Sequence, residues 1–124
     1  MTKEREGIEV HKGDILWIQC DPSFGVEPQK IRTCVVVSND VANQHGQAIT
    51  VVPTQVYSAE RAHRIYMVDL RKPRPDLQES RVANASMIMT YDRRRVLKRA
   101  GPITKETQDV LDEALRIHLA LVTV

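Results

Sequence analysis

The sequence predicts a mainly β chain with a C-terminal α-helix, its antiparallel strands closed into a small barrel. Three observations carry this reading. Short runs rich in Val, Ile and Thr follow one another between turn residues. One long segment, near the C-terminus, has helical periodicity. The length of 124 residues matches one domain, 1–124.

The elements follow in order. Residues 1–10 form a charged lead, of which 1–8 are expected to be disordered. Asp14 to Cys20 is the first strand, where Ile15, Leu16, Trp17 and Ile18 are β-formers with little alternation. Residues 21–31, with Pro22, Gly25 and Pro28, form a loop. Thr33 to Ser38 is the second strand, an apolar run of the kind buried on both faces. Asn39 to Gln44 is expected to make one helical turn capped by Asn39, and His45-Gly46 a turn. Ala48 to Val52 is the third strand, stopped by Pro53. A polar loop spans 54–64. Ile65 to Leu70 alternates as a fourth strand. The segment 71–76 carries two prolines and cannot sustain a ladder.

Arg81 to Ala85 and Ser86 to Tyr91 make one or two further strands. Asp92 to Arg95 is a turn or a short helix, and Gly101-Pro102 breaks the chain. Thr104 caps the long helix, which runs to about Leu119. Glu106 in its first turn, and Arg116 and His118 in its last, suit the helix dipole. Val110, Leu111, Ala114, Leu115 and His118 fall on one face, read as packing on the sheet.

Hydrophobic residues make up 42% of the chain, enough for a core and against disorder. No apolar run approaches the roughly 18 residues of a membrane span. The charged start, Met1 to Glu6, leads into no apolar segment of signal-peptide type, so the cytoplasm is the expected location. Cys20 and Cys34 lie in the strands flanking the 21–31 loop and read as buried thiols rather than a disulfide. The four histidines, His11, His45, His63 and His118, are scattered without metal-ligand spacing, and no metal or other cofactor is expected.

Net charge is only +2, but it is polarised. Residues 61–99 hold 11 Lys/Arg against 4 Asp/Glu, whereas 1–60 hold 5 against 8 and 100–124 hold 2 against 4. A basic middle segment points to a polyanion partner. A solvated charged loop is the competing reading.

Residues 11 to 43 carry a more specific signal. A strand opens on Gly13-Asp14, a loop holds Gly25 and Glu27, Arg32 stands at the mouth of a Val-rich strand, and Ser38-Asn39 precedes Asn43. This pattern resembles the MazF/PemK family of toxins, with Thr33 where the family has Pro. The similarity extends over roughly residues 9 to 121. The resemblance implies an SH3-like barrel of the MazF/CcdB type with a C-terminal helix. It also implies a toxin of a toxin–antitoxin system that inhibits translation and growth. The activity implied is sequence-specific, metal-independent cleavage of single-stranded mRNA, an mRNA interferase. Attack by the 2′-OH would leave a 2′,3′-cyclic phosphate and a 5′-OH. The implied partners are single-stranded RNA, a second copy in a homodimer and an acidic antitoxin, with no membrane.

The residues must meet the needs of that chemistry. RNA carries its own nucleophile, so a protein has to help remove the 2′-OH proton, stabilise the phosphorane and protonate the leaving oxygen. Arg32 matches the family's catalytic Arg. Its planar fork suits phosphate, and as a guanidinium is a poor free base its role is charge stabilisation. The alternative is an ion pair with Glu27 or Asp14. Thr54 follows Pro53 directly, one residue short of the family's Pro-x-Thr spacing. It is either the second catalytic residue or a strand-end hydroxyl.

Glu27 is expected to orient Arg32 or touch RNA, and Gln55 to bond a base edge or a phosphate. His63, between Arg61 and Arg64, is weighed against a solvated loop histidine, as is His45. Arg61, Arg64, Arg93 and Arg94 are expected phosphate contacts, while Arg95 matches a family Arg that is a candidate structural residue. Met87-Ile88-Met89-Thr90 is apolar where the family shows Gln-x-Arg-Thr. Phe24 and Tyr57 are the aromatic platforms available for stacking; Trp17 reads as core or dimer interface. Two rivals remain: a non-catalytic RNA-, DNA- or protein-binding module on the same barrel, and a gyrase-poisoning toxin of related fold.

Overall fold

The computed structural model describes residues 7–70 and 80–122. The expectations for 1–6 and for 71–76 lie outside the described residues. Seven strands form one antiparallel sheet: β1 Asp14–Gln19, β2 Ile31–Val36, β3 Ala48–Val56, β4 Met67–Asp69, β5 Arg81–Asn84, β6 Met89–Asp92 and β7 Val96–Pro102. The path is β4-β5-β3-β2-β1-β7, with β6 pairing β3. Two short helices, α1 Asp40–His45 and α2 Ala59–Ala62, and the long α3 Lys105–His118 complete the order. The expected mainly β fold with a C-terminal helix is therefore present. Its sheet curls without closing: among the described residues β4 and β7 remain two separate ends of the path.

The core explains why β1 and β2 show so little alternation. Ile15 and Val35 face one apolar cluster, with Val52, Leu70, Ala83 and Leu111. Leu16, Ile18, Cys34 and Val36 face a second, with Ile49, Val51, Tyr91 and Val96. Both faces of these strands are buried, so each position is apolar. Trp17 packs against the edge of the first cluster.

Gly13 makes the entry to β1 possible. Its φ is +90°, and a Cβ there would lie 2.8 Å from Gln108 Oε1 of α3. The Asp14 carboxylate beside it is buried and held by Arg99 Nε at 2.7 Å and by the His11 backbone N–H at 2.9 Å.

Several boundaries differ from expectation, each for a physical reason. β2 begins two residues early, at Ile31. β3 does not stop at Pro53 but continues to Val56. On its outer side β3 pairs with β6 through Val51 and with β5 from Thr54 onward. Pro53 sits where the partner changes, so its missing N–H interrupts neither ladder. The 54–64 loop thus holds the end of β3 and the helical turn α2, capped by the Ser58 side chain on Arg61 N.

β4 is shorter than the expected strand at each end, and the Ala85–Met87 stretch is a 3-10 turn. β7 was not expected; Gly101-Pro102, read as a break in the chain, forms its end. The caps were legible: Asn39 Oδ1 accepts from Ala42 N, and Thr104 Oγ1 from Thr107 N. α3 buries Thr107, Leu111 and Ala114, with Leu115 packed alongside. Val110 and His118, placed on that face from the sequence, are exposed.

Candidate functional site

The end of β3, the start of β2 and the end of β5 converge under the 21–30 loop. They enclose a recess of about 280 Å³ lined by Gly25, Glu27, Arg32, Thr54, Gln55 and Asn84, with Pro53 and Met87 as apolar wall. Gly25, at φ +60°, turns the loop over this recess. The Glu27 carboxylate accepts from Phe24 N at 2.7 Å, so it closes its own loop rather than pairing Arg32. Asp14 is likewise committed to Arg99. Among the described residues Arg32 has no ion-pair partner, and its guanidinium makes a 3.3 Å bond to the Ile31 carbonyl. An exposed cation on the wall of a recess is what a phosphate requires.

Thr54 forms the floor and is 2% exposed. Its hydroxyl donates to the Thr33 carbonyl at 3.1 Å and lies 2.5 Å from the Thr33 hydroxyl. It also accepts from Arg81 Nε at 2.7 Å, and Arg81 reaches the Thr54 carbonyl at 3.3 Å. Thr33, the departure from the family's Pro, thus supplies a hydroxyl partner to the second candidate catalytic residue. Cys34, next to Thr33 in β2, stands opposite Pro53 of β3. Its hydrogen bond with Cys20 and its burial push that thiol up, while the charges of Arg32 and Arg81 act in the opposite sense. The bond that raises Cys34 draws Cys20 down, against the effect of burial. Both cysteines are buried free thiols.

The other expected site residues lie elsewhere. Arg61, His63 and Arg64 belong to α2 and its C-terminal end, beyond the tip of β3, and do not line the recess. Arg61 bonds the Val56 carbonyl at 2.8 Å, Arg64 bonds Tyr66 Oη at 3.1 Å, and His63 is exposed. His45 ends α1, also exposed and away from the recess.

The Arg93–Arg95 segment is a 3-10 turn. Arg93 does not face outward: it is half-buried and donates to the carbonyls of Asn43 and Ile8. Arg94 is exposed and grips Asp92 at 2.8 Å, a bond that lowers the Asp92 carboxyl to about 2. Arg95 donates to the carbonyls of Gln19 and Asp21 and stacks 5.8 Å from the Tyr91 ring. It pins the end of β1, from which the recess loop departs.

Sequence reading found Arg32, Thr54, Glu27 and Gln55, which the fold brings together. It missed Arg81 and Asn84. The only signal for Arg81 was membership of the basic 61–99 segment, and Asn84 gave none. Phe24 is exposed on the loop beside the recess, and Tyr57 follows β3. Among the described residues no group of three or more His, Cys, Asp or Glu is gathered as a metal site. No helix there is long and apolar enough to cross a membrane.

A family model described as "PemK-like, MazF-like toxin of type II toxin-antitoxin system" matches residues 11–119. The endoribonuclease MazF9 of Mycobacterium tuberculosis is 34% identical over 119 residues, covering 90% of this chain and 98% of that protein. The endoribonuclease EndoA of Bacillus subtilis is 26% identical over 113 residues, covering 91% and 97%. A MazF crystal structure from Deinococcus radiodurans superposes with a TM-score of 0.76 at 18% identity, over 91% of this chain and 98% of that one. A mycobacterial endoribonuclease solved with its cognate antitoxin gives 0.73 at 20% identity, over 93% and 99%. At these identities the superpositions speak for the fold.

Proposed function

The chain belongs to the family of PemK-like, MazF-like toxins of type II toxin–antitoxin systems, and on that premise we propose that it is an endoribonuclease cutting single-stranded RNA without a metal. The observation that carries this is Arg32: an exposed guanidinium with no described ion-pair partner, on the wall of a recess floored by Thr54. Its N–H fork donates to the equatorial oxygens of the phosphorane as charge builds there. The 2′ oxygen of the RNA bonds to phosphorus as its proton is lost to solvent, the P–O5′ bond breaks and the 5′ oxygen takes up a proton, so the products carry a 2′,3′-cyclic phosphate and a 5′-OH.

Thr54 contributes its hydroxyl by exchanging a Thr33 contact for a substrate oxygen, with Arg81 holding the other side. Glu27 keeps the loop closed over the site, and Gln55 bonds RNA at the rim. Arg61, His63 and Arg64 on α2 extend the path of the strand, and Arg94 adds a distant phosphate contact. The protein works in the cytoplasm as a homodimer and is neutralised by an acidic antitoxin. The mycobacterial neighbour was solved with its cognate antitoxin, and a Deinococcus radiodurans neighbour as MazE–MazF.

The burial of Thr54 favours one second reading, a non-catalytic RNA-binding module on the same fold. Incubation of the protein with a long RNA in EDTA, followed by end-group analysis, separates the two. Cleavage is expected to persist in EDTA and to stop when the nucleotide 5′ of the scissile bond is 2′-deoxy. Loss of activity in EDTA, or scission of a deoxy linkage, overturns the internal-nucleophile mechanism; binding without cleavage favours the module.

A further inference from the structure

We propose that Asn84 makes the recess beside Arg32 a subsite for a keto base, uracil or guanine, on a nucleotide flanking the scissile phosphate. The inference rests on the endoribonuclease reading only for the position of that phosphate.

Asn84 ends β5 and lines the recess, yet it is 8% exposed. Its Oδ1 accepts from Ser86 N at 3.0 Å and from Ser86 Oγ at 2.6 Å. A backbone N–H can only donate, so these bonds fix which end of the amide is oxygen. The other end, Nδ2, has no described partner. A buried amide donor is normally satisfied, and the recess that Asn84 lines offers space for a ligand acceptor. The amide cannot rotate to offer its oxygen instead without giving up both Ser86 bonds.

The rest of the recess suits a nucleobase. Pro53 and Met87 supply apolar wall, and Gln55 stands at the rim with an amide free of described partners. A backbone phosphate at Arg32 keeps the sugar at the mouth, so a base enters with the edge opposite its glycosidic bond foremost. That leading substituent is O4 in uracil and O6 in guanine. In cytosine and adenine it is an amino group. The fixed N–H of Asn84 donates to a carbonyl there and leaves an amino group facing another donor, an arrangement a polar site rejects strongly.

The test varies the base at each position flanking the cleavage site. Cleavage is read on all-ribo oligonucleotides and binding on the same sequences made uncleavable by a 2′-O-methyl group. At one flanking position U and G are expected to exceed C and A by roughly tenfold or more in kcat/KM and in affinity. Substrate analogues lacking O4 or O6 are expected to lose that advantage on the unaltered protein, which needs no variant to fold. Asn84→Asp keeps the acceptor for Ser86 and turns the donor into an acceptor, so it is expected to shift preference toward C and A. Asn84→Leu is expected to flatten it.

RNA cleaved with no keto preference at either position overturns the subsite and leaves the endoribonuclease reading standing. Keto-selective binding without cleavage does the reverse. A wild-type preference that survives both substitutions and both analogues removes Asn84 as its source.

Discussion

Arg32 and the Arg93–Arg95 turn both place positive charge beside a strand end, and the fold treats them oppositely. Arg32 projects from the mouth of β2 into a recess with no described ion-pair partner. In the turn, Arg93 and Arg95 donate to backbone carbonyls of distant segments, and Arg94 is drawn onto Asp92. Three consecutive arginines look in sequence like the stronger anion site. In the structure the single arginine is the better presented one. Charge available to a ligand depends on what the fold has already engaged, and the surrounding acceptors decide it.

The largest effect expected from this contrast is at Arg32. Arg32→Ala removes an exposed side chain that packs in neither apolar cluster, so thermal stability is expected to stay close to wild type. Cleavage is expected to fall by about 10²–10³, the usual cost of one preorganised donor at a developing charge. Single-turnover cleavage of an RNA with a mapped site measures it, alongside a thermal melt. Near-normal cleavage by a folded Arg32→Ala protein breaks the comparison at its stronger end.

Arg93→Ala is expected to show the opposite pattern. Its guanidinium ties Asn43 in α1 to Ile8 in the lead before β1, segments far apart in sequence. Losing those charge-assisted bonds from a half-buried site is expected to cost about 1–3 kcal/mol of stability. Cleavage per folded molecule is expected to change little. Urea unfolding with a parallel activity measurement checks both halves. A protein of unchanged stability but weakened RNA binding would return Arg93 to the substrate path.

What could be read in advance follows the same division. β1, β2 and the α3 cap were legible because each leaves a local mark: a doubly buried apolar run, or a Thr at the start of an amphipathic stretch. β7 left none. Its middle, Leu97-Lys98-Arg99, is charged and lies at the end of the described sheet path, paired with β1 alone; only Val96 and Ala100, at either side of it, enter the core, too few and too far apart to mark a strand. β3 was cut short at Pro53 because the rule against proline in a ladder was applied without knowing that the strand changes partner there.

Arg32 was visible through its place in a family pattern. Arg81, which bonds Thr54, and Asn84, which lines the recess, come from a strand about fifty positions away. Only the β3–β5 register, Thr54 opposite Ala83, brings them to the Thr54 end of β3. Likewise, the identity of Thr33 was plain in the sequence as a departure, but its partner was not. A hydroxyl 2.5 Å from Thr54 is a fact of tertiary pairing.

The smallest expected effect is at Arg94, and it bears on how the basic 61–99 segment meets RNA. Arg94 is exposed and lies outside the recess, and its bonds to Asp92 hold that carboxyl at about 2. Because the folded-state value is depressed, the contribution of this pair to stability is complete above the ordinary carboxylate range. It fades as pH falls through about 2. At neutral pH the pair is intact, and an arginine engaged in this way competes poorly for a phosphate. Arg94→Ala is therefore expected to reduce the log–log salt slope of RNA binding by no more than one contact, about 0.7 for a single strand, with cleavage nearly unchanged. Fluorescence anisotropy of an uncleavable RNA across a salt series measures the slope directly. A loss of two or more contacts' worth of slope, or a loss of cleavage comparable to that of Arg32→Ala, would mean that RNA draws the whole turn away from Asp92. The contrast between the engaged and the presented arginines would then hold for the unbound protein alone.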